Sequence, residues 1–238
     1  YPDFPGYEGG DQMIRIILVI ISLIAATPSL SALRGSSDSF DSSSIRAAYL
    51  NRGMGARGVA LGEAYTSIST DPSAIFWNPG GIGQAKQLSF LLAYDRVIEE
   101  VGISTCAVSL PLTANFGFAG AVSMMSLGSY DSYSDAAEPK GSKSASSLWA
   151  LGGLSFANPG WLGSNGWTGI GTEFIKDIDE STLIAFSTGT LVHISSKWDM
   201  GVSLLHLGPE VDGFSLPSEA RIGLNWSNPD RLMVAFDY

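Results

Sequence analysis

Very few side chains in this sequence have the types and the spacing that catalysis or metal binding would need. The two histidines, His193 and His206, are not spaced as paired imidazoles that share one metal ion. The single cysteine, Cys106, can neither build a zinc site nor form an intramolecular disulfide. No serine lies in the Gly-x-Ser-x-Gly turn that exposes the nucleophile of many hydrolases. We therefore expect no enzymatic activity, no metal and no cofactor.

Residues 53–58 read Gly-Met-Gly-Ala-Arg-Gly and match the dinucleotide-binding fingerprint as a string. That fingerprint requires a buried apolar strand before it, a helix after it and an acidic residue about 20 positions further on. Residues 47–52 do not read as such a strand, and the segments that follow have an antiparallel character. The pattern therefore favours glycines that let a short helix pack closely inside a barrel over a nucleotide site.

The charges of the chain are few and mostly negative. Charged residues make up 15% of the sequence, hydrophobic residues 45%, and the formal net charge is −10. Nucleic acids need lysine and arginine against their phosphates, so we expect no nucleic-acid partner. An acidic cluster at Asp177, Asp179 and Glu180 could bind a cation, but its position between two predicted strands favours a solvated loop tip.

The most informative segment is 57–83, which ends in a rigid Trp-Asn-Pro turn. Its candidate residues, which we expect to act as a plug or a gate, are Arg57, Glu63, Asp71, Ser73, Trp77, Asn78 and Pro79. If the segment folds into a barrel lumen, Arg57 could pair with Glu63 or Asp71 where lipid cannot reach. A plug would fill the lumen, whereas a gate would move for a ligand, and the two roles can coexist.

From residue 87 onward, apolar residues alternate with small or polar ones. This period of two predicts strands near 87–95, 101–111, 116–124, 147–157, 167–176, 182–194, 198–204, 220–227 and 232–238. Each has about the length that a tilted strand needs to cross a bilayer. Before them, 53–68 is predicted as a short helix, and 70–81 as a loop without regular structure because of its prolines and glycines.

Three features favour a membrane barrel over a soluble sandwich, which also alternates. The small faces of the strands carry Gly, Ala and Ser rather than the charges expected of a face in water. Aromatic residues lie near predicted strand ends, as in an interfacial girdle: Tyr94, Phe156, Trp167, Trp198, Trp226 and Tyr238. Short links at 111–115, 195–196 and 228–230 alternate with long polar links at 128–146 and 207–218. By parity, His206 is predicted on the apolar face with Trp198 and Val202, as an interfacial residue near a strand end.

The N-terminal residues read as an export signal. Arg15 precedes the apolar run 16–26, which has the length of a signal-peptide core, and Pro28 follows it with small residues for cleavage. We expect a signal peptide at 13–32, an N-terminal extension and plug at 33–86, and barrel strands at 87–238. An odd strand count would leave an open edge in lipid, so we also expect the barrel to be truncated at its C-terminus.

Residues 57–65 and 71–82, which read RGVALGEAY and DPSAIFWNPGGI, closely resemble the beginning of the PorV/PorQ family of outer-membrane barrels. Gly80 and Ile82 replace the family's usual Ala and Leu, and 207–209 and 216–224 resemble its later segments. The resemblance implies an all-β, antiparallel transmembrane barrel with a short helical plug and more strands than this chain contains. The family is related to the FadL channels for long-chain fatty acids.

The resemblance also implies what such a protein would do. Some family members shuttle cargo for type IX secretion, and FadL relatives move hydrophobic molecules. Our first expectation is therefore a bacterial outer-membrane protein that assists protein export or surface attachment, with lipid, secreted cargo and secretion-system components as partners. The alternatives are a FadL-like channel for hydrophobic small molecules and a secreted, soluble β-sandwich that binds a ligand.

Overall fold

A computed structural model describes residues 47–98, 100–133, 139–158, 165–177, 181–210, 215–227 and 232–238. The predicted signal peptide and the first part of the predicted extension lie outside these residues, as do Asp179 and Glu180 of the acidic cluster. No helix among the described residues combines the length and the apolar character that a bilayer span requires.

The N-terminal segment, which we define as residues 47–84, consists of short helical pieces joined by turns. They are a 3₁₀ helix at Ala48–Asn51, α1 at Ala56–Ala60, α2 at Ala74–Trp77 and a second 3₁₀ helix at Pro79–Gln84. The predicted helix at 53–68 is therefore wrong beyond α1, because Gly62 and Glu63 both take left-handed backbone angles that reverse the chain. The predicted absence of regular structure at 70–81 is also wrong. Proline lacks only the N–H that a first helical turn leaves unpaired, so Pro79 can begin a short helix.

Nine strands follow, and they form one antiparallel sheet in sequence order. Their bounds, from β1 to β9, are Ser89–Ile98, Val101–Thr113, Phe116–Tyr133, Pro139–Ala157, Gly166–Lys176, Thr182–His193, Trp198–Leu207, Glu219–Ser227 and Met233–Asp237. The predicted all-β antiparallel architecture is confirmed, and each predicted strand corresponds to an observed one. Among the described residues, β1 and β9 each pair with one neighbour only, so the sheet is open at both edges.

The long polar link predicted at 128–146 is instead a β-hairpin. β3 continues to Tyr133 and β4 begins at Pro139, and the two pair through this region, for example at Ser129 and Ser144. A bulge between Ser126 and Ser129 shifts the register where the extension begins. Serine-rich strands have no apolar alternation, so a period-two search misses them.

The two faces of the sheet differ in side-chain size. Outward positions carry large exposed residues such as Leu92, Ile170 and Phe186. Inward positions carry buried small residues such as Ala119, Ser155 and Gly169. The N-terminal segment lies against this inward face, and residues 72–83 of it are buried without interruption. The core of the protein is thus formed between one sheet and one short segment of chain.

Two residues do not lie where they were predicted. His206 was predicted among the outward apolar side chains, and this is wrong. A bulge leaves Leu205 and His206 opposite one residue of β6, and His206 takes a left-handed φ of 57° that turns it inward. Trp167 was predicted in an aromatic girdle, but its indole lies against Gly83 of the N-terminal segment.

Candidate functional site

A row of glycines marks where the N-terminal segment meets the sheet. Six consecutive strands, β3 to β8, each contribute one inward-facing member: Gly117, Gly153, Gly169, Gly189, Gly201 and Gly223. A Cβ on Gly169 would clash with the carbonyl of Pro79, and one on Gly201 would clash with the carbonyl of Thr66. At Gly117, Gly169 and Gly201 the backbone of the segment packs directly on the strand, which only residues without a side chain permit. Gly153 and Gly189 instead make room for the side chains of Ile82 and Asn78.

Asn78 joins two parts of the N-terminal segment to the sheet. Its side-chain amide donates to the Thr66 carbonyl at 2.8 Å and to the Thr190 carbonyl of β6 at 3.1 Å. Its oxygen accepts from the Gly80 amide at 2.9 Å and so caps the second 3₁₀ helix. Asn78 is fully buried, so all three bonds are protected from water.

Trp77 is buried and contacts both the N-terminal segment and the sheet. Its indole N–H donates to the Met54 carbonyl at 2.7 Å, and its own carbonyl accepts from the Ser203 hydroxyl of β7 at 2.9 Å. Gly53 and Gly58 pack on the ring so closely that a Cβ on either would lie 2.6 Å from a ring carbon. The close packing expected of the glycines at 53–58 is confirmed at Gly53 and Gly58, whereas their place inside a barrel stays a prediction.

Arg57 does not form either ion pair that the sequence suggested. Its guanidinium carbon lies 5.5 Å from the centroid of the Tyr65 ring, and the guanidinium donates to the Thr70 hydroxyl at 3.5 Å. Asp71 instead accepts from the Tyr65 hydroxyl at 2.7 Å and from the Ser73 amide at 2.9 Å. The predicted pairing is wrong because the carboxylate of Asp71 binds the Tyr65 hydroxyl and the Ser73 amide instead of Arg57.

Glu63 also has a different partner from the predicted one. Its carboxylate lies 3.9 Å from the Arg221 guanidinium of β8. Its left-handed φ of 68° reverses the chain. Among the seven candidates, the structure thus groups Trp77, Asn78 and Pro79 on the inward face, and Asp71 with Ser73 in one turn.

The two tyrosines of the segment with perturbed acidity both remain protonated at neutral pH. Burial raises the pKa of Tyr49 to about 12, although the hydrogen bond from Ser147 at 2.6 Å acts in the opposite direction. Burial, reinforced by the bond to Asp71, raises the pKa of Tyr65 above its usual value. Tyr65 is therefore a lasting hydrogen-bond donor to Asp71.

A buried polar cluster that sequence reasoning missed lies on the inward face of β4 to β7. Glu173 is 1% exposed and accepts hydrogen bonds from the Trp149 indole at 3.1 Å and from the Ser187 hydroxyl. The Nδ1 atom of His206 lies 2.9 Å from the same carboxylate. A carboxylate on the small face of a strand could have been noticed from the sequence, but the bulge that brings His206 to it could not.

The hydrogen bonds of this cluster do not have the order of a Ser-His-acid triad. The Ser187 hydroxyl donates to Glu173, so its proton is not directed at the imidazole as in a Ser-His-acid triad. The Trp149 ring makes an edge contact with His206 at 5.4 Å and another with Phe76 of α2 at 5.0 Å. The described residues contain no group of three His, Cys, Asp or Glu side chains that could hold a metal ion.

The sequence matches no protein-family model, and no curated protein shows significant similarity to it. The resemblance of residues 57–82 to the PorV/PorQ family therefore stays a prediction, and the geometry of the two faces must carry any functional proposal.

Proposed function

We propose that this chain is an outer-membrane β-barrel protein of the PorV/PorQ type that assists the export or surface attachment of other proteins. The observation that carries the proposal is the inverted distribution of side chains between the two faces of the sheet. Large apolar residues point away from the only packed interior of the described residues, and small residues point into it. A face of this kind suits hydrocarbon as its solvent.

Each of the nine described strands contributes exposed large apolar side chains to the outward face. Ile170, Phe174 and Phe186 on adjacent strands are each more than half exposed. Among outward strand positions whose side chains the structure describes, charges occur only at Arg96 and Lys176. Both lie near the same end of the sheet, since β1 and β5 each end beside a link on that side. A charged side chain costs little near the bilayer interface and several kcal/mol at the midplane, so this placement of the charges suits a membrane-spanning sheet.

The N-terminal segment supports a plugged interior over an open channel. It covers the inward face from Met54, which lies 3.8 Å from the Thr105 hydroxyl of β2, to Tyr65, whose amide donates to Asp237 of β9. A FadL-like channel would need this segment to move. A soluble sandwich would need a second sheet, and the described strands form one. In lipid, the free edges of β1 and β9 must also be paired.

Cysteine labelling in native membranes tests the orientation of the faces. In a Cys106→Ser background, we expect Val202→Cys and Leu224→Cys to react with a lipid-soluble maleimide and to resist a charged, water-soluble one. Ser196→Cys, in the exposed link between β6 and β7, is the matched control and should react with the charged reagent. Rapid labelling of Val202→Cys by the charged reagent would rule out a lipid-facing surface.

An arginine scan provides an independent test of membrane insertion. Arginine in place of Ile170, near the middle of β5, should make folding into a bilayer less favourable by about 2–4 kcal/mol. Arginine in place of Trp198, at the first position of β7, should cost much less because that end can reach the interface. Equal costs at both positions would contradict the proposal.

The export role needs its own experiment. Crosslinking in cells should recover secreted proteins with the wild-type chain and lose them when the hairpin extension, residues 129–144, is replaced by a two-residue turn. Retention of the barrel in the membrane is the control. Recovery of bound fatty acid from both forms, without secreted proteins, would instead support a channel for hydrophobic solutes.

A further inference from the structure

His206 on β7 has a strained backbone conformation. Its φ of 57° is left-handed, which is unfavourable for a residue with a Cβ because that atom crowds the following carbonyl. The strain accompanies the bulge that sets Leu205 and His206 opposite Ser187 alone. Strained residues persist only where their surroundings compensate for the cost, and they cluster at switch regions and other functional sites. The contacts of His206 therefore show what holds the strained conformation in place.

The imidazole of His206 is held on the side of the N-terminal segment. Its Nδ1 atom lies 2.9 Å from the Glu173 carboxylate, and its ring makes an edge contact with Trp149. The Trp149 indole donates to the same carboxylate at 3.1 Å and makes an edge contact with Phe76 of α2. All four side chains are buried. The inward position of His206 thus supports the packing of α2 on the sheet.

The backbone of His206 is held by residues on two other elements. The Ser218 hydroxyl, just before β8, donates to the His206 carbonyl at 2.9 Å. The His206 amide donates to the Ser187 hydroxyl of β6 at 3.0 Å. Ser218 is exposed, whereas the ring contacts of His206 are buried. His206 therefore connects an exposed residue before β8 with the buried contacts of α2.

The bulge in β7 has a regular alternative. Pairing continued without a bulge from Thr188 and Leu204 would place His206 opposite Phe186. Phe186 faces outward and is more than half exposed, so the imidazole would leave the interior and lose Glu173. Relief of the left-handed strain favours this regular arrangement, whereas the buried contacts favour the bulged one. The observed arrangement is thus the outcome of two opposing contributions.

An element with two discrete arrangements can couple residues that lie far apart. We propose that His206 is a conformational switch between the residues that precede β8 and α2. Displacement of the Ser218 hydroxyl from the His206 carbonyl lets β7 take up regular pairing. The imidazole then withdraws from Glu173 and Trp149, and α2 loosens because Phe76 packs on Trp149. The inference does not depend on the membrane proposal, because it concerns contacts within the chain.

Hydrogen exchange of the purified full chain tests this switch. The amides to follow are the backbone amides of Phe76 and Asn78, which donate within and at the end of α2. Ser218→Ala removes the bond to the His206 carbonyl, and we expect both amides to exchange about three- to tenfold faster, the equivalent of one hydrogen bond. Ser195→Ala is the matched control. It removes a hydroxyl that accepts from a backbone amide between β6 and β7, and exchange in α2 should not change.

A second background separates this coupling from a general loss of stability. His206→Gly permits left-handed angles without strain but removes the imidazole, so Phe76 and Asn78 should already exchange faster. Adding Ser218→Ala to His206→Gly should then have no further effect. The paired amides of β2 and β3 should exchange at the wild-type rate in every variant. The proposal would be overturned by unchanged exchange in Ser218→Ala, by an undiminished effect in His206→Gly, or by equal acceleration in β2 and β3.

Discussion

The guanidinium carbon of Arg221 on β8 lies 4.8 Å from the centroid of the Trp77 ring, so a strand and the N-terminal segment share one cation–π contact. The same guanidinium is bound to Glu219 at 2.8 Å and approaches Glu63 at 3.9 Å. Arg221 is mostly buried, and burial strengthens both kinds of contact. It is therefore the main electrostatic link between the sheet and the core of the segment.

Replacement of Arg221 should weaken the attachment of the N-terminal segment to the sheet. We expect Arg221→Met to lower the free energy of unfolding by about 1–3 kcal/mol, because it removes the cation–π contact and leaves Glu219 without its partner. Urea unfolding followed by tryptophan fluorescence measures the change. Lys86→Met, at an exposed position before β1, should stay within about 0.5 kcal/mol of the wild type. An equally small effect of Arg221→Met would mean that Trp77 is held by packing alone.

The glycine row predicts opposite effects of one chemical change on the two faces of the sheet. Gly201→Ala should displace the Thr66 backbone and destabilise the protein by about 1–3 kcal/mol through overpacking. Gly152→Ala, where a Cβ meets no atom within 4 Å, should be neutral or stabilise by about 0.5–1 kcal/mol. Limited trypsin digestion should detect release of the segment in Gly201→Ala only. Matching stabilities of the two variants would contradict direct backbone packing.

Asn78 should tolerate neither loss nor change of its amide. In Asn78→Asp, an oxygen replaces the nitrogen that donates to Thr66 and Thr190, so two carbonyls lose their donor and face a buried oxygen. We expect a loss of about 3 kcal/mol or more in the free energy of unfolding. Asn115→Asp, in the exposed turn between β2 and β3, is the control and should change little. The comparison needs only thermal or urea unfolding of both variants.

The buried Glu173–His206 pair should show much stronger coupling than the exposed pair of the same chemistry. A double-mutant cycle with Glu173→Gln and His206→Gln should give a coupling energy of about 1.5–3 kcal/mol. The His193–Asp199 pair is the internal control: its atoms lie 2.5 Å apart, but the His193 side chain is 41% exposed. Its coupling should not exceed about 1 kcal/mol. Similar coupling in both pairs would mean that Glu173 acts only through Trp149 and Ser187.

Local chemistry was sufficient to predict the regular part of this protein. Strand positions such as 167–176 and 220–227 follow from alternation, because neighbouring side chains in a strand point to opposite faces whatever the partner. The close approach permitted by the glycines at 53–58 also follows from residue type. The orientation of the two faces toward lipid and water remains a prediction.

Only the tertiary structure decided which side chains meet. His206 reaches Glu173 through a bulge, and Arg57 leaves Asp71 to Tyr65, although neither outcome has a signature in the local sequence. The glycine row likewise draws one residue from each of six strands, and no single strand reveals it. Alternation is a property of one strand, whereas these contacts depend on register, bulges and left-handed residues that place distant segments side by side.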